Sequence, residues 1–343
     1  MKGRSVILDD IKGRKAAALM VDGRLEDFLI DPADDTPAPG AIFRAQVDRQ
    51  MKGQGGVFLT LPQGRAFLKQ AKGLAPGQSL LVQVTGFAEP GKAVPVTPRL
   101  LFKSRYAIVT PDAPGLNISR AIRDEDERDR LLEVAHEGMK GADEGLGLIL
   151  RSACAGADAD EIADDISAMR SLAEQVQADA EGAPELLVDA PDAHELAWRD
   201  WAEPAPDEVV QGFDAHGVLD AMVALQGGVA LSGGGSVWVE PTRALVAVDV
   251  NTGGDSSPAA GLKANIATAR DLPRLLRIRG LGGQVVVDFA PMPKKDRRQL
   301  EQVLKAAFRA DPVDTVLAGW TALGNFELQR KRERRPVERG LFE

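Results

Sequence analysis

Apolar and polar residues alternate over the first thirty positions, which predicts strands at Ser5–Leu8, Lys15–Val21 and Asp27–Ile30, with a charged turn after the first. The Pro- and Asp-rich stretch Asp31–Gly40 breaks that pattern and marks a boundary. Short β-like runs follow at Ala41–Asp48, Gly56–Leu61, Arg65–Lys69, Ser79–Gly86 and Ala93–Thr97, divided by glycine clusters. Strands so short and closely spaced predict a small barrel or sandwich. Tyr106–Thr110 opens another unit, in which Glu125–His136 and Ala159–Ala178 carry helical periodicity and a heavily acidic surface. From Glu181 to Asp207 the pattern reads as loop mixed with short elements.

The last third alternates strand and helix. Ser236–Glu240 and Leu245–Val250 predict a hairpin, and Gly233–Gly235 a turn into it. No Lys-Ser/Thr pair follows those glycines, so a nucleotide-binding P-loop is rejected. Ala264–Arg279 predicts a helix kinked at Pro273, where a missing backbone donor costs about 3 kcal/mol. Gln284–Phe289 predicts a buried strand. In the helix expected at Lys295–Arg309, Leu300, Val303, Leu304, Ala307 and Phe308 fall on one face. Such alternation describes a layered α/β domain.

Composition narrows the class. A 44% apolar content over 343 residues supports a sizeable core and more than one domain. The chain lacks any apolar run long enough for a membrane span, and its first residues lack a signal core. A soluble cytoplasmic protein is the simplest expectation. The single cysteine, Cys154, excludes an intramolecular disulfide and a cysteine-pair zinc clip. Net charge is −9, which on its face disfavours a nucleic-acid partner. The charge is uneven, however: from Gly261 to Glu343 there are 17 Lys and Arg against 10 Asp and Glu, whereas the rest carries 25 against 41. Nucleic-acid binding depends on local basic surface, so Lys294, Lys295, Arg297, Arg298 and the Arg330–Arg335 cluster become candidate phosphate contacts. A solvated helix face accounts for the same charges equally simply.

Two apolar strands end in aspartates, Asp249 and Asp288, and alternation puts Asn251 on the side of Asp249. Two carboxylates on neighbouring strands would form a hard oxygen site of the kind magnesium accepts. Capping of turns or helices is the other reading of this spacing. The motifs that carry these residues are VAVDVNTGG, ANIATARDLPRLLRIRGLGGQVVVDFAPM and TALGNFELQRKR. In this order they are similar to the catalytic region of the ribonuclease E/G family. The resemblance implies a Mg2+-dependent endoribonuclease acting on single-stranded RNA in processing or decay. Asp249 and Asp288 would bind the ion, with Asn251 helping to hold the attacking water and the scissile phosphate. A bound ion lowers the pKa of a water and neutralises charge on the phosphate. The alternative is a catalytically weak or inactive RNA-binding protein of the same family. His136, His194 and His216 lie in the acidic middle and read as structural or surface residues.

Resemblance extends forward. Phe58 and Phe67, in GGVFLTLPQGRAFL, match the aromatic pair that the family's OB-fold offers to RNA, although two such phenylalanines are equally ordinary core residues. Lys92, in PGKAVPVT, matches a basic residue of that surface. Arg151 and Ser152, in GLGLILRSACAG, and Arg120, in LNISRAIRD, match a pocket for a 5′-monophosphate. Here too an alternative stands: Arg151 pairing with the acidic helices around it. The chain departs from the family pattern in a shorter loop after Asn251 without its basic residue, in Pro291 and Ala267 where acids are common, and in an absent arginine near Asp314.

The fold implied is a multidomain α+β and α/β chain. An RNase H-like base (residues 1–35, returning in shortened form at 187–226) carries an inserted S1-type OB-fold at 36–100 and a 5′-sensor-like domain at 101–186. A DNase I-like layered catalytic domain occupies 227–343. Family members that assemble through zinc use a paired-cysteine motif beyond the catalytic domain. Without one, no zinc-linked tetramer is expected, and a metal-free homodimer stays open.

Overall fold

A computed structural model describes residues 3–51, 55–71, 73–89, 91–255, 257–338 and 340–342, without the side chains of residues 49–51. It divides into two compact units, Met1–Asp31 with Asp207–Glu343, and Pro32–Pro206. The chain opens on the antiparallel meander β1 (Arg4–Ile11), β2 (Arg14–Val21) and β3 (Arg24–Ile30). Both of its turns, Lys12–Gly13 and Asp22–Gly23, hold two consecutive residues at positive φ. Turns of this handedness match the twist of the strands that they join.

In the second unit, β4 (Ile42–Met51), β5 (Gly56–Leu61), β6 (Gly64–Lys69), β7 (Ser79–Val84) and β8 (Val94–Thr97) pair in the order β4–β5–β6–β8–β7, and β7 returns to β4. This closes a five-stranded barrel of OB type. Its interior is filled by alternate residues such as Val57, Leu59, Ala66, Leu68 and Val82. Next comes a four-stranded sheet. Its strands are β9 (Phe102–Lys103), β10 (Ala107–Thr110), β11 (Gly115–Ile118) and β12 (Gly147–Leu150), ordered β11–β12–β10–β9. α1 (Glu125–Gly138) and α2 (Ala159–Ala178) start on aspartate caps, Asp124 and Asp158. Each cap accepts amide hydrogens that the first turn leaves unbonded. Leu131, Ala135, Ile162 and Ile166 of these helices share one core with Leu148 and Leu150. β13 (Glu185–Val188) adds to β4, and α3 (Ala193–Asp200) begins with a capping box between Asp192 and Glu195.

The chain then resumes the first unit. β14 (Glu208–Gln211) runs parallel to β1, giving a four-stranded sheet β14–β1–β2–β3. After α4 (Val218–Ala224) comes the larger sheet. It contains β15 (Val229–Ala230), β16 (Ser236–Pro241), β17 (Val246–Asn251), β18 (Gly283–Asp288), β19 (Thr315–Trp320) and β20 (Phe326–Arg330), in the order β15–β16–β17–β18–β20–β19. The β17–β18 pair is parallel and is connected by α5 (Pro258–Ile278); α6 (Arg297–Ala310) follows β18.

α5 begins six residues before the expected Ala264. Ser257 accepts the amide of Ala260, and Pro258 occupies the first turn, where its missing donor is harmless. The helix runs unbroken through Pro273, which is buried. On β17 and β18 Val246, Val248, Val250, Val285 and Val287 point inward, which leaves Asp249, Asn251, Gln284 and Asp288 on the outer face with Ala247 and Val286.

Among the described residues, no helix is long and apolar enough to cross a membrane.

Candidate active site and RNA-contact surfaces

The open face of the larger sheet gathers the expected catalytic residues. Asp249 and Asp288 are direct Cα partners in the parallel β17–β18 pair, both are exposed, and both alternate with buried valines. Neighbours of this kind share one face and stand within about 5 Å of each other at Cβ. The Nδ2 of Asn251 donates to Oδ2 of Asp249 at 2.7 Å. The amide therefore orients that carboxylate while its own carbonyl oxygen stays available. The row beneath runs Glu240, Ala247, Val286, Glu327 by register, so four carboxylates are carried on this face.

The donor set fits a hydrated magnesium ion. Two carboxylates in water suffice, because this ion keeps several waters and accepts phosphate oxygens. Among the described residues no group of three or more His, Cys, Asp or Glu side chains could hold a metal, so the face offers an open site and no closed cage.

Beyond Asn251 the strand end borders an open cleft of about 430 Å³, lined by Gly233–Gly235, Thr252–Asp255, Ser257 and Lys263 among others. All three glycines of the first turn have positive φ. At Gly235 a side chain would collide with the Asn251 backbone, and at Gly233 with the Lys263 side chain. Lys263 is exposed and has no ion-pair or hydrogen-bond partner among the described residues. Asp255, also in the cleft, accepts the amide of Ser257, and this bond holds its carboxyl below its ordinary range. Sequence spacing alone could not pair Lys263 with glycines thirty positions earlier. Only the return of α5 alongside β17 brings them together.

Two residues of the Arg330–Arg335 cluster, Arg330 and Arg334, are held by internal carboxylates, while Lys331 is exposed and pairs with Asp314 and Glu333. Arg330 sits on the inward row of β20 with Phe326 and Leu328, is 1% exposed, and binds Asp311 at 2.7 Å. Arg277 engages the other oxygen of Asp311 and also Asp27; Arg334 bonds Asp27 at 3.0 Å. Arg274 and Arg279 are buried against the carbonyls of Leu25 and Val239. Alternation along FELQR carries this signal: a residue in phase with two buried apolar neighbours points inward, whatever its charge. Lys294, Lys295 and Arg298 are exposed, while Arg297 lies over the Trp320 ring at 4.1 Å.

On the barrel, Phe58 and Phe67 are cross-strand partners with ring centroids 5.3 Å apart. Each alternates with interior residues, so the pair stands half-buried on the outer surface and takes no part in the barrel core. Lys92 is exposed and pairs with Glu89 at 2.8 Å.

In the neighbouring sheet, parallel β11 and β12 end together at Ile118 and Leu150, which sets Arg120 and Ser152 at the same end. Arg120 is exposed, and neither of these two side chains has a partner among the described residues. Arg151 is committed elsewhere. Its Nη1 donates to the carbonyls of Ser104, Arg105 and Arg199, and its Nη2 donates to Asp200 at 2.7 Å. Lys103 and Arg199 reach the same carboxylate at 2.8 and 2.9 Å. Burial opposes the charge on Asp200, yet Arg199 and Lys103 hold its carboxyl far below the usual range. A phosphate at Arg151 would have to displace Asp200. Cys154 next door is buried, and desolvation pushes its thiol up to about 12, which makes it a poor nucleophile or zinc ligand.

Comparison with known proteins agrees with this arrangement. The model of the Ribonuclease E/G family matches residues 102–216 and 211–333. The ribonuclease E of Nostoc sp. is 30% identical over 303 residues, covering 76% of this chain and 44% of that protein. The ribonuclease G of Salmonella typhimurium is 27% identical over 383 residues, and that of Escherichia coli 26% over 385; each match covers 93% of this chain and 78% of the relative. The chain thus spans under half the length of the first relative and over three-quarters of the other two. Matches that take in both paired aspartates and the sheet around them leave one conclusion: the chain belongs to the ribonuclease E/G family.

Proposed function

We propose that this protein is a magnesium-dependent endoribonuclease that hydrolyses single-stranded RNA on the open face of the β16–β17–β18 sheet. The observation that carries this reading is the direct pairing of Asp249 with Asp288, beside Asn251, in a member of this family. In this reading the meander with β14 is the RNase H-like base, the barrel an S1-type OB-fold, and the larger sheet with its helices a DNase I-like catalytic domain. Asp249 and Asp288 would hold the ion, which when bound supplies positive charge against the phosphate and acidifies a water. Asn251 fixes the orientation of Asp249 and presents an amide oxygen toward the reacting water. Lys263, over the glycine turn, supplies the cation missing from the shortened loop after Asn251 and steadies the RNA backbone as it enters. Phe58 and Phe67 offer a stacking surface for bases.

The test is incubation of labelled single-stranded and duplex RNA with the protein, in magnesium and in excess chelator. Cleavage of the single strand, dependent on added magnesium, is the expected result. Tight binding without cleavage at any magnesium concentration would leave an RNA-binding protein in its place.

Salt dependence separates the two readings of the basic region. With Arg274, Arg277, Arg279, Arg330 and Arg334 engaged internally, Lys263, Lys294, Lys295 and Arg298 are the exposed cations that this reading assigns to phosphates. Three or four phosphate contacts to a single strand give a slope of log affinity against log salt of about −2 to −3. A slope twice as steep would mean that cations beyond these four reach RNA.

The 5′-phosphate pocket is proposed at Arg120, Ser152 and Arg151. Since Asp200 occupies the Arg151 fork, preference for a 5′-monophosphate over a 5′-hydroxyl end should stay at or below roughly tenfold, the lower limit for one charge-assisted hydrogen bond. Asp200→Asn should widen it, because the amide competes less well with phosphate for three cations. Initial rates on otherwise identical RNAs would show this. Equal rates for both ends, in wild type and variant alike, would make Arg151 purely structural.

A further inference from the structure

One side chain on the open face is not used by the chemistry above. Trp238 lies on β16 between buried Val237 and Val239, so alternation directs its indole to the solvent side of the sheet. It is 43% exposed. Its cross-strand partner is Asp249, which is itself the partner of Asp288. Three adjacent strands therefore present Trp238, Asp249 and Asp288 as one row. Directly opposed residues sit close enough at Cβ for an indole to overlap its neighbour's surroundings.

The ring is also held. It packs against the backbone of Gly228, where a Cβ would come within 2.6 Å of the indole, so residue 228 leaves room for the ring and for nothing more. Among the described residues no aromatic ring or guanidinium stacks on it. The exposed side chains around it on this face are carboxylates and an amide, namely Glu240, Asp249, Asn251 and Asp288, and they cannot cover an apolar ring. A large aromatic surface left in water beside an acidic row gains nothing from packing. It is suited to a flat partner that arrives with the substrate. The carboxylates disfavour a phosphate at that spot, whereas an uncharged base plane meets no such repulsion.

The geometry points to Trp238 as a base platform: a nucleobase flanking the scissile phosphodiester stacks on the indole and so fixes that phosphodiester over Asp249 and Asp288. The inference rests on the endoribonuclease reading and assigns this site a positioning residue that moves no proton. Stacking is indifferent to hydrogen-bonding pattern, so the platform favours purines over pyrimidines only through their larger rings.

The experiment uses the full chain in magnesium, with a short single-stranded RNA cut at one place. Companion RNAs carry one abasic nucleotide on the 5′ or the 3′ side of that cut. On the intact RNA, Trp238→Ala is expected to slow single-turnover cleavage by about 5- to 150-fold, the range that loss of one stacked base gives. Trp238→Phe should recover most of the rate. On one of the abasic RNAs wild type and Trp238→Ala should cleave alike, because the variant cannot lose a contact that the substrate no longer offers. Equal rates on intact RNA, or an undiminished defect on both abasic RNAs, would overturn the platform. If Trp238→Ala does not fold, Trp238→Leu keeps an apolar side chain without a ring and answers the same question. If wild type cleaves no RNA, the endoribonuclease reading fails separately. RNA-induced quenching of indole fluorescence, wild type against Trp238→Phe, then decides: a difference supports stacking on Trp238 and none refutes it.

Discussion

Asp249→Asn is expected to lower RNA cleavage by at least about a hundredfold while leaving the fold intact, since several kcal/mol of charge stabilisation at the phosphate depend on the ion's ligands. The carboxylate has two tasks. It supplies half of the charged donor set on the open face, and its Oδ2 anchors the amide of Asn251. An asparagine keeps the shape but gives up the charge and offers a weaker acceptor. Asp288→Asn should have a similar effect. The double variant should be little worse than either single one, because groups that act as a unit lose their function together. Stability should hold or rise slightly, as both side chains are exposed and each substitution removes one charge from a face that carries four carboxylates. Cleavage rates with unfolding midpoints measured on the same preparations check both halves. Near-wild-type cleavage by either single variant would place the chemistry elsewhere.

The largest effect on stability is expected at Asp311. Its side chain is 1% exposed and neutralises Arg330, also 1% exposed, together with Arg277. Asp311→Ala strands Arg330 without a counter-ion in the interior of the first unit and leaves Arg277 to Asp27 alone, and breaking a buried pair in this way costs about 3–5 kcal/mol. Burial already pulls the Arg330 guanidinium below its ordinary pKa despite the attraction of Asp311, which shows how strongly the site resists charge. Replacing both partners, with Asp311→Leu and Arg330→Met, should recover much of the loss, because apolar side chains of similar volume need no counter-ion. Urea unfolding of the three proteins tests this. If Asp311→Ala unfolded at the wild-type midpoint, the pair would contribute nothing net.

The same cluster shows where a linear reading runs out. Charge counting found a basic surplus after residue 260 and treated it as surface, although Arg330 lies in phase with Phe326 and Leu328 and is therefore interior. The acids that hold these arginines inside, Asp27 and Asp311, are remote in sequence from most of the arginines that they serve. Asp249 and Asp288 were legible because each is in alternation with valines, so the period of two fixes its face, and a parallel pair needs only a crossover helix to align them. Phe58 and Phe67 were ambiguous until the glycine, valine and leucine positions around them settled which side was barrel interior. Trp238 was hidden within a predicted hairpin strand, since its importance comes from its partner and not from its own segment. Asp200 belonged to a stretch without clear periodicity. Only the fold gathers Lys103, Arg151 and Arg199 around it.

The chain leaves its first unit after Asp31 and rejoins it at Asp207, so β1 must wait for β14, some 200 residues later, before its sheet is complete. On a ribosome emitting the chain from its N-terminus, the intervening segment emerges whole while the opening meander still lacks its parallel neighbour. Domains generally fold as units during synthesis, and contacts between distant positions form late. The exposed flank of β1 is thus a vulnerability of the nascent protein that the finished one no longer has. A nascent chain stalled near residue 206 should be clipped by protease within its first thirty residues while the barrel and its neighbouring sheet resist, and release of the full-length chain should remove that sensitivity.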